Sequence, residues 1–374
     1  MNIIFFMPTR VIMMENCIQN NAALIKSLGR KALIVTGANS AKSNGSLQDV
    51  TDALTGQGVK YCIFDKVMAN PTVACVYEGA QYAREHKADF IIGIGGGSPM
   101  DAAKAIALLA AQNIPEEQLF LGHFTDQALP IALIPTTAGT GSEVTPYSIL
   151  TNVKAQTKTS ISSPLLFPEL ALLDAKYMKN LSMEITINTA LDALSHAIEG
   201  MLSVKATEIS SSFAVESLKK LVPCLRSLSP EKGMSGSGLT IDIREKLLYG
   251  SMLAGIVISH TGTTAVHSMG YSLTYFKNLD HGRANGLLLP SFLRFIMKSD
   301  QDIVKKILTV MGLKTIDEFE ALFLRLLGER EQMSEKELER FAGIAVNAKN
   351  VLNSKVIPTK DDIINIYSRS LQIV

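Results

Sequence analysis

Apolar and polar positions in the first half of the chain alternate in blocks that predict a strand followed by a helix, several times over. Each predicted strand is a short apolar run bounded by glycine, proline or polar residues, a pattern typical of buried parallel strands. These runs are Ala32–Thr36, Lys60–Phe64, Phe90–Ile94 and Pro130–Ile134. Helical patterns begin after Lys42, run from Asn70 to about His86, and run from Pro99 to Ala111. The alternation predicts a doubly wound parallel sheet, in which ligands bind at the carboxyl ends of the strands.

The beginning of the chain is apolar but short. Ile3–Met7 and Arg10–Met14 predict two strands, and the intervening Pro8 and the absence of a basic leader make a signal peptide a poor interpretation. No apolar run reaches the roughly 20 residues that a membrane helix needs. Further along, Asn70 is expected to cap its helix, with Pro71 in the first turn.

The second half of the chain has longer helical patterns. They cover Ile185–Ser203, Ser210–Leu228 and Ile243–Ser259, with several more after Pro290, and a turn-rich connector spans Ser229–Gly238. Because 374 residues are too many for one compact core, two domains are expected. We predict an α/β dinucleotide-binding domain over residues 1–180 and an all-helical, metal-binding domain over residues 181–374.

Composition narrows the class of protein. A net charge of +1 gives no sign of a nucleic-acid partner, and 47% hydrophobic residues are enough for large cores. The four cysteines are scattered with no CxxC spacing, which is typical of reduced thiols in a cytosolic protein. We therefore expect a cytoplasmic protein with no membrane or nucleic-acid partner.

One helical pattern, Asn188–Gly200, carries a candidate metal site. Asp192 and His196 are four residues apart and so emerge on one face, one turn apart. Alone, such a pair is more often an intrahelical hydrogen bond. His267 and His281, in a glycine-punctuated region downstream, change that balance, because four nitrogen and oxygen ligands from separate segments suit a buried divalent cation.

Two loops that follow predicted strands are candidates for binding phosphate. Gly95–Asp101 joins a strand to a helix, where glycines allow close backbone approach and free N–H groups favour an anion. Pro135–Glu143 is dense in threonine, serine and glycine, which suits the phosphates and ribose of a dinucleotide. The alternative for each loop is a tight or polar turn with no ligand, and the first loop is not a GxGxxG fingerprint.

Taken together, Gly95–Asp101, Pro135–Glu143, Asp192–His196 and the run from His267 to Pro290 resemble the iron-containing (type III) alcohol dehydrogenases. Within that family, the resemblance is to members of the 1,3-propanediol and butanol dehydrogenase type. It implies a dehydroquinate synthase-like architecture, with a dinucleotide-binding domain, a helical domain and a metal in the cleft between them. It also implies a homodimer formed through N-terminal strands.

The resemblance assigns roles to individual residues. Asp192, His196, His267 and His281 match the metal ligands, with Fe²⁺ as the expected metal and Zn²⁺ as the alternative because zinc binds such sites tightly. Lys158 matches a lysine that approaches the nicotinamide-side ribose. The full set of residues predicted to bind the cofactor is Gly37, Asn39, Ser40, Lys42, Asn70, Gly96, Gly97, Ser98, Asp101, Thr136, Thr137, Gly139, Thr140, Ser142 and Lys158.

Two departures from the family pattern affect the predicted chemistry. Tyr271 stands where members often have a second histidine that is thought to relay protons, and a phenol with an ordinary pKa near 10 is a poorer relay. Gly37 stands where many NAD-using members have an aspartate, with Asn39, Ser40 and Lys42 close behind. The missing carboxylate predicts a preference for NADP(H) over NAD(H).

The predicted activity is metal-dependent hydride transfer between NAD(P) and a small primary alcohol or diol, giving the aldehyde. The rivals are a glycerol or polyol dehydrogenase on the same scaffold, a dehydroquinate-synthase-like lyase, and a non-catalytic metal- or nucleotide-binding protein. The lyase would need clustered lysine and arginine in the cleft, and Arg283 is almost the only such residue near the predicted metal positions.

Overall fold

The computed structural model describes residues 3–229 and 238–374. These residues contain ten strands and fifteen α-helices. The strands are β1 (Arg10–Met13), β2 (Lys31–Thr36), β3 (Lys60–Phe64), β4 (Phe90–Gly95), β5 (Ile131–Pro135), β6 (Tyr147–Asn152), β7 (Thr157–Ser162), β8 (Leu170–Leu173), β9 (Gln332–Met333) and β10 (Gln372–Ile373). The predicted connector Ser229–Gly238 falls largely outside the described residues.

The first six α-helices alternate along the chain with strands β1 to β5, and the other nine follow β8. They are α1 (Cys17–Asn20), α2 (Ala22–Lys26), α3 (Ser40–Ser43), α4 (Ser46–Gly56), α5 (Val73–Glu85), α6 (Gly97–Ala111), α7 (Met183–Met201), α8 (Glu208–Ser227), α9 (Ile241–Thr261), α10 (Ala265–Lys277), α11 (His281–Met297), α12 (Gln301–Val310), α13 (Ile316–Leu327), α14 (Glu335–Val346) and α15 (Lys360–Ser370).

A six-stranded parallel sheet with the order β1-β8-β5-β4-β2-β3 organises the N-terminal part of the chain. Strand β4 is buried along its whole length, because α5 and α6 cover one face of the sheet and α1, α2 and α4 cover the other. The predicted fold class, a doubly wound sheet followed by a helical region, is confirmed. The exact domain limits of 1–180 and 181–374 stay a prediction; β8 ends at Leu173 and α7 begins at Met183.

The helical part has its own apolar core, formed mainly by α7, α8, α9, α10 and α11. Helix α7 lies at its centre and is buried on almost every side, because alanine, leucine and isoleucine recur around its whole circumference. Among the described residues, no helix is both long and apolar enough to cross a membrane.

The predicted strand at Ile3–Met7 is wrong, because these residues form no strand and pair with none of the described strands. Instead the Phe5 ring stacks on His260 with centroids 4.5 Å apart, and the Phe6 N–H donates to Nε2 of the same imidazole at 3.2 Å. These contacts draw the segment onto α9 and away from the sheet edge. Pro8, which lacks an N–H group, also interrupts any strand that continues from β1.

The cap of α5 also differs from the prediction. Helix α5 begins at Val73, and the Thr72 hydroxyl accepts a hydrogen bond from the Cys75 N–H at 3.2 Å. Asn70 has a positive φ of 58° and precedes the helix. Its carbonyl accepts a hydrogen bond from the Thr151 hydroxyl at 2.9 Å, so the Asn70 turn is joined to β6.

The antiparallel hairpin of β6 and β7 has no counterpart among the predicted elements. Its sequence is rich in threonine, serine and lysine and lacks the apolar run by which the buried strands were recognised. The hairpin matters for function because it carries Lys158 to the edge of the cleft.

Candidate active site

Helix α7 places Asp192 and His196 on one buried face. The Ser182 hydroxyl caps the helix by accepting a hydrogen bond from the Ile185 N–H at 3.2 Å, and the helix continues unbroken through both residues. Asp192 and His196 are only 3% and 4% exposed, so neither side chain can be solvated by bulk water. A buried carboxylate of this kind needs partners, and the next two helices provide them.

Helices α10 and α11 bring His267 and His281 against this face. The start of α11 lies so close to α7 that a Cβ atom on Gly282 would be 1.8 Å from the Asn188 carbonyl oxygen. Asp280, just before α11, accepts a hydrogen bond from the Asn188 side-chain amide at 2.9 Å. A glycine at position 282 is therefore required for His281 to reach the site.

The donor atoms of Asp192, His267 and His281 all lie within 4.8 Å of one another, and the fourth predicted ligand, His196, lies beside them. Oδ1 of Asp192 lies 3.9 Å from Nε2 of His196, 3.7 Å from Nε2 of His267 and 3.8 Å from Nε2 of His281. The Nε2 atoms of His196 and His267 are 2.9 Å apart. One carboxylate oxygen and three imidazole nitrogens facing each other form a donor set that fits a divalent transition metal.

A fifth group, Glu199, fixes the orientation of His267. Its Oε2 accepts a hydrogen bond from Nδ1 of His267, and its Oε1 accepts from the N–H of Thr264 at 2.8 Å and the N–H of Val266 at 3.1 Å. With the Nδ1 proton held there, Nε2 of His267 presents its lone pair to the other predicted ligands. The same carboxylate caps the first turn of α10.

Asn285 completes the inner surface of the site. Its Nδ2 lies 3.1 Å from Oδ1 of Asp192 and 3.2 Å from Nε2 of both His267 and His281. Its Oδ1 is buried near Gly270, where a Cβ atom would approach it to 2.1 Å. The Asn285 amide therefore contacts three of the four predicted ligands at once.

Sequence reasoning missed Glu199 and Asn285, although helical spacing offered a signal for both. Glu199 is three residues after His196 on α7, and Asn285 is four residues after His281 on α11. Each therefore shares a helix face with a residue that was already predicted as a ligand.

The electrostatics of the group favour neutral His196 and His281 beside an ionised Asp192, whereas His267 is held more readily protonated. Burial lowers the pKa of His196 and, more strongly, that of His281. Burial alone would raise the pKa of Asp192, but the surrounding imidazoles outweigh it and the pKa is lowered. Burial likewise opposes charge on His267, but Glu199 raises its pKa above the ordinary value.

Tyr271 lies beside the predicted ligands. Its ring is stacked on His281 with centroids 5.5 Å apart and meets His267 edge-on at 6.3 Å. Burial, reinforced by Glu199 and Asp192, raises the pKa of Tyr271 well above its ordinary value. The hydroxyl is therefore a neutral donor at physiological pH, which is consistent with the predicted weakness of Tyr271 as a proton relay.

The site opens into a cavity of about 810 Å³. Helix α6 begins in its wall, and Gly96 caps this helix without a side-chain hydrogen bond, so N–H groups remain for an anion. Gly97 is pressed against Thr140 of the second loop, where a Cβ atom would come within 2.6 Å of the threonine methyl. The two glycine-containing loops therefore interlock to form one wall.

The predicted cofactor residues divide into two groups. Those that line the cavity are Asn70, Gly97, Ser98, Asp101, Thr140, Ser142 and Lys158. The remainder lie at the carboxyl end of β2 or within the two loops, and in the described part of the chain they are outside the cavity lining: Gly37, Asn39, Ser40, Lys42, Gly96, Thr136, Thr137 and Gly139.

Asp101 and Ser142 are tied to a buried lysine. The Ser142 hydroxyl donates to Oδ1 of Asp101 at 2.6 Å and accepts from Nζ of Lys104 at 2.9 Å. Oδ2 of Asp101 also accepts from the Ile149 N–H at 3.1 Å, which joins α6 to β6. These bonds give both residues a structural role in holding the cavity wall together.

Lys158 projects from β7 into the cavity. Burial lowers its pKa to about 8, although Asp192 and Asp101 oppose this shift. Lys42, at the other end of the predicted cofactor path, is already paired with Asp65, with Nζ and Oδ2 2.6 Å apart.

Comparison with known proteins identifies the family. Residues 8–175 match the iron-containing alcohol dehydrogenases, and residues 186–371 match the C-terminal part of the same family. Lactaldehyde reductase of Escherichia coli K12 is 33% identical over 291 residues, covering 76% of this chain and 73% of that protein. The chain belongs to the iron-containing alcohol dehydrogenase family.

Other members of the iron-containing alcohol dehydrogenase family are similar to this chain over more of its length. The 1,3-propanediol dehydrogenase of Citrobacter freundii is 30% identical over 321 residues, covering 84% of this chain and 79% of the relative. The crystal structure of an iron-containing alcohol dehydrogenase from Thermotoga maritima is 38% identical, covers 98% of this chain and 99% of that one, and has a TM-score of 0.90. The resemblance and the enzyme class predicted from the sequence are confirmed: the chain is an oxidoreductase of the iron-type, nicotinamide-dependent alcohol dehydrogenases.

Proposed function

We propose that this enzyme interconverts small primary alcohols or diols with their aldehydes, using a divalent metal held by Asp192, His196, His267 and His281. The observation that carries the proposal is that three imidazole Nε2 atoms each lie within 3.9 Å of Oδ1 of Asp192, and that all four residues line the cavity. Fe²⁺ is the proposed metal, and Zn²⁺ is the alternative that the same donors accept.

The residues fit a metal in charge as well as in geometry. One carboxylate and three neutral imidazoles leave a bound divalent cation with a net charge near +1. Such a cation, when bound, lowers the pKa of an alcohol and polarises an aldehyde carbonyl. Glu199 holds His267 in the tautomer that leaves Nε2 free, so the chain itself sets the direction of the lone pair.

The cavity residues place the reacting groups. The free N–H groups at the start of α6 suit the pyrophosphate of the cofactor, and Lys158 lies in the same cavity as the four proposed ligands. A nicotinamide cofactor bound in this cavity would supply or accept the hydride at the reacting carbon of the substrate. Because the pKa of Tyr271 is raised, this hydroxyl would stay protonated and donate a hydrogen bond, and the alcohol proton would need another acceptor, such as water or the ribose hydroxyls of a bound cofactor.

We further propose a preference for NADP(H) over NAD(H). Gly37 places no carboxylate at the end of β2, where a negative charge would repel a 2′-phosphate, and Asn39 and Ser40 follow as hydrogen-bond donors. Lys42 supports the preference only partly, because its ammonium group is ion-paired with Asp65, which offsets its attraction for a phosphate.

A homodimer is also proposed, through the N-terminal segment. Strand β1 is at an edge of the sheet, and Ile4 and Phe6 of the preceding segment are 89% and 54% exposed. Light scattering of the full chain and of a variant with both residues changed to serine tests this: the expected result is a dimer that the variant weakens.

The metal site is tested by His267→Ala, with His86→Ala as the matched control. His86 stacks on Tyr82 at the end of α5 and makes no contact with the proposed ligands. We expect His267→Ala to lose both bound metal, measured by elemental analysis, and aldehyde reduction, measured by nicotinamide absorbance. Full turnover in a verified metal-free His267→Ala variant would refute the proposal.

The cofactor preference is tested by the ratio of kcat/KM for NADPH to that for NADH. We expect Gly37→Asp to lower this ratio by at least about tenfold, because two like charges would be placed together. Gly37→Ala is the control, since its Cβ meets the same Val67 carbonyl oxygen at 3.2 Å without adding charge. A wild-type enzyme with a lower kcat/KM for NADPH than for NADH would refute the proposed preference.

A further inference from the structure

The mouth of the cavity on the helical side is a rim built from two segments. Residues 203–206 follow α7, and the 3₁₀ helix Lys349–Asn353 follows α14. They are joined by a hydrogen bond from the Val204 N–H to the Asn353 carbonyl at 2.8 Å and by another from the Lys355 N–H to the Leu202 carbonyl at 2.9 Å. The rim is therefore a connected structure on which side chains have defined places.

The asparagines of the rim are anchored on the turn before α10. Nδ2 of Asn350 donates to the Thr263 hydroxyl at 2.7 Å, and Nδ2 of Asn353 donates to the Thr263 carbonyl at 3.0 Å. The Asn350 side chain also reaches the hydroxyl of Tyr271, which stacks on His281. The rim asparagines therefore lie next to Tyr271, which in turn stacks on a proposed metal ligand.

Two lysines of the rim, Lys205 and Lys349, line this mouth. In the part of the chain that the structure describes, neither ammonium group has a carboxylate within 4.0 Å, whereas Lys277 is paired with Glu337 and Lys360 with Glu339.

The carboxylates around the cavity do not balance these lysines. Asp101 and Asp192 are the acidic residues among those that line the cavity, and each carboxylate already has polar partners. Asp101 bonds Ser142 and Ile149, and Asp192 lies among the imidazoles. Lys205 and Lys349, both exposed, therefore carry positive charge that the carboxylates lining the cavity do not compensate.

We propose that the preferred substrate carries an anionic group, a carboxylate or sulfonate, at the end opposite its reacting carbon. The substrate is then a short ω-oxo acid, and this inference rests on the proposed alcohol dehydrogenase function. Ile258, Ile344 and Ala348 line the same cavity and offer apolar surface to the methylene groups between the two ends. Lys205, Lys349 and the rim amides take the anion.

The reaction balances with the reduced cofactor and one proton from water. Hydride passes from nicotinamide C4 of the reduced cofactor to the aldehyde carbon, the carbonyl oxygen takes a proton, and the products are the ω-hydroxy acid and the oxidised cofactor. The anionic group is unchanged throughout, so it contributes to binding and selectivity.

The test compares 4-oxobutanoate with butanal, which has the same four-carbon chain without the charge. For the wild-type enzyme we expect kcat/KM to be higher for 4-oxobutanoate by about tenfold, mainly through KM, and we expect the advantage to shrink in high salt. Lys205→Ala and Lys349→Ala should each reduce the ratio of the two kcat/KM values about three- to fivefold. Lys205→Arg should retain it.

The control is Lys219→Ala, an exposed lysine on α8 that is outside the cavity lining, and it should leave the ratio unchanged. A wild-type ratio of one or less, or rim variants that behave like Lys219→Ala, overturns the inference while butanal reduction still supports the proposed function. Turnover of neither aldehyde with either cofactor would instead refute the proposed function itself.

Discussion

Replacing Gly282 with alanine should separate the two halves of the proposed metal site. The added Cβ would lie 1.8 Å from the Asn188 carbonyl oxygen and 3.1 Å from the Asp192 Cβ. Because both partners belong to α7, a side-chain rotation cannot relieve the closer contact. Helix α11 must withdraw from α7 instead.

The size of the effect follows from that contact. Ordinary van der Waals contact begins at 3.4 Å, so α11 has to move by about 1.6 Å near His281. Overpacking of this kind costs about 3 kcal/mol, the upper end of the usual range, because backbone meets backbone. At about 2.1 cal/mol/K per residue, the unfolding entropy of 374 residues converts this cost to a fall in Tm of about 4 °C.

Metal binding should suffer more than stability. Nε2 of His281 is 3.8 Å from Oδ1 of Asp192, a separation that a cation with bonds of about 2.0–2.2 Å can bridge. A further 1.6 Å would leave the two atoms too far apart to share one ion. We expect the affinity for Zn²⁺ or Co²⁺ to fall at least about tenfold, as measured by chelator competition.

Gly343→Ala provides the matched control. Gly343 lies inside α14, and a Cβ atom there would have no heavy atom within 4 Å among the described residues. The same chemical change should therefore raise stability by about 0.5–1 kcal/mol and leave metal affinity unchanged. If calorimetry gave Gly282→Ala the same Tm and metal affinity as the wild type, the argument from close helix contact would be wrong.

Two further predictions concern buried carboxylates. Glu199→Gln should weaken metal binding about 10- to 100-fold, because the amide no longer fixes the His267 tautomer; the visible spectrum of a Co²⁺-loaded sample and chelator competition measure this, and unchanged values would contradict it. Burial raises the pKa of Glu143 from 4.5 to about 7, so between these values the folded state holds more protons than the unfolded state. Stability should therefore fall by about 2 kcal/mol from pH 5 to pH 7 through this group. Denaturant unfolding of wild type and Glu143→Gln at both pH values isolates that contribution, and parallel pH dependence of the two proteins would exclude it.

Much of the sheet was predictable because its strands are buried on both faces. Such strands appear in the sequence as continuous apolar runs, as at Ala32–Thr36 and Phe90–Ile94, and glycine or polar residues mark their ends. The convergence of Asp192 and His196 followed from helical spacing. That His267 and His281 would face them came from the family resemblance, since distance along the chain does not specify how helices pack.

The features that were missed depend on contacts between distant residues. Ile3–Met7 has the composition of a strand, but stacking of Phe5 on His260 decides its course. The β6–β7 hairpin is polar on most of its surface, so its sequence resembles that of a loop. Asn70 is a good capping residue by type, but the helix begins later, at Val73, and the Thr72 hydroxyl caps it.

The pairing of β1 with β8 has a consequence for synthesis of the chain. Of the six strands of this sheet, Arg10–Met13 is made first, and it aligns with Leu170–Leu173, which is made last. Until then its apolar side chains and its backbone donors have no partner, so the nascent domain stays open and exposed to aggregation. A chain shortened at its N-terminus would keep β8 as a bare sheet edge permanently, and we expect it to be recovered mainly in the insoluble fraction.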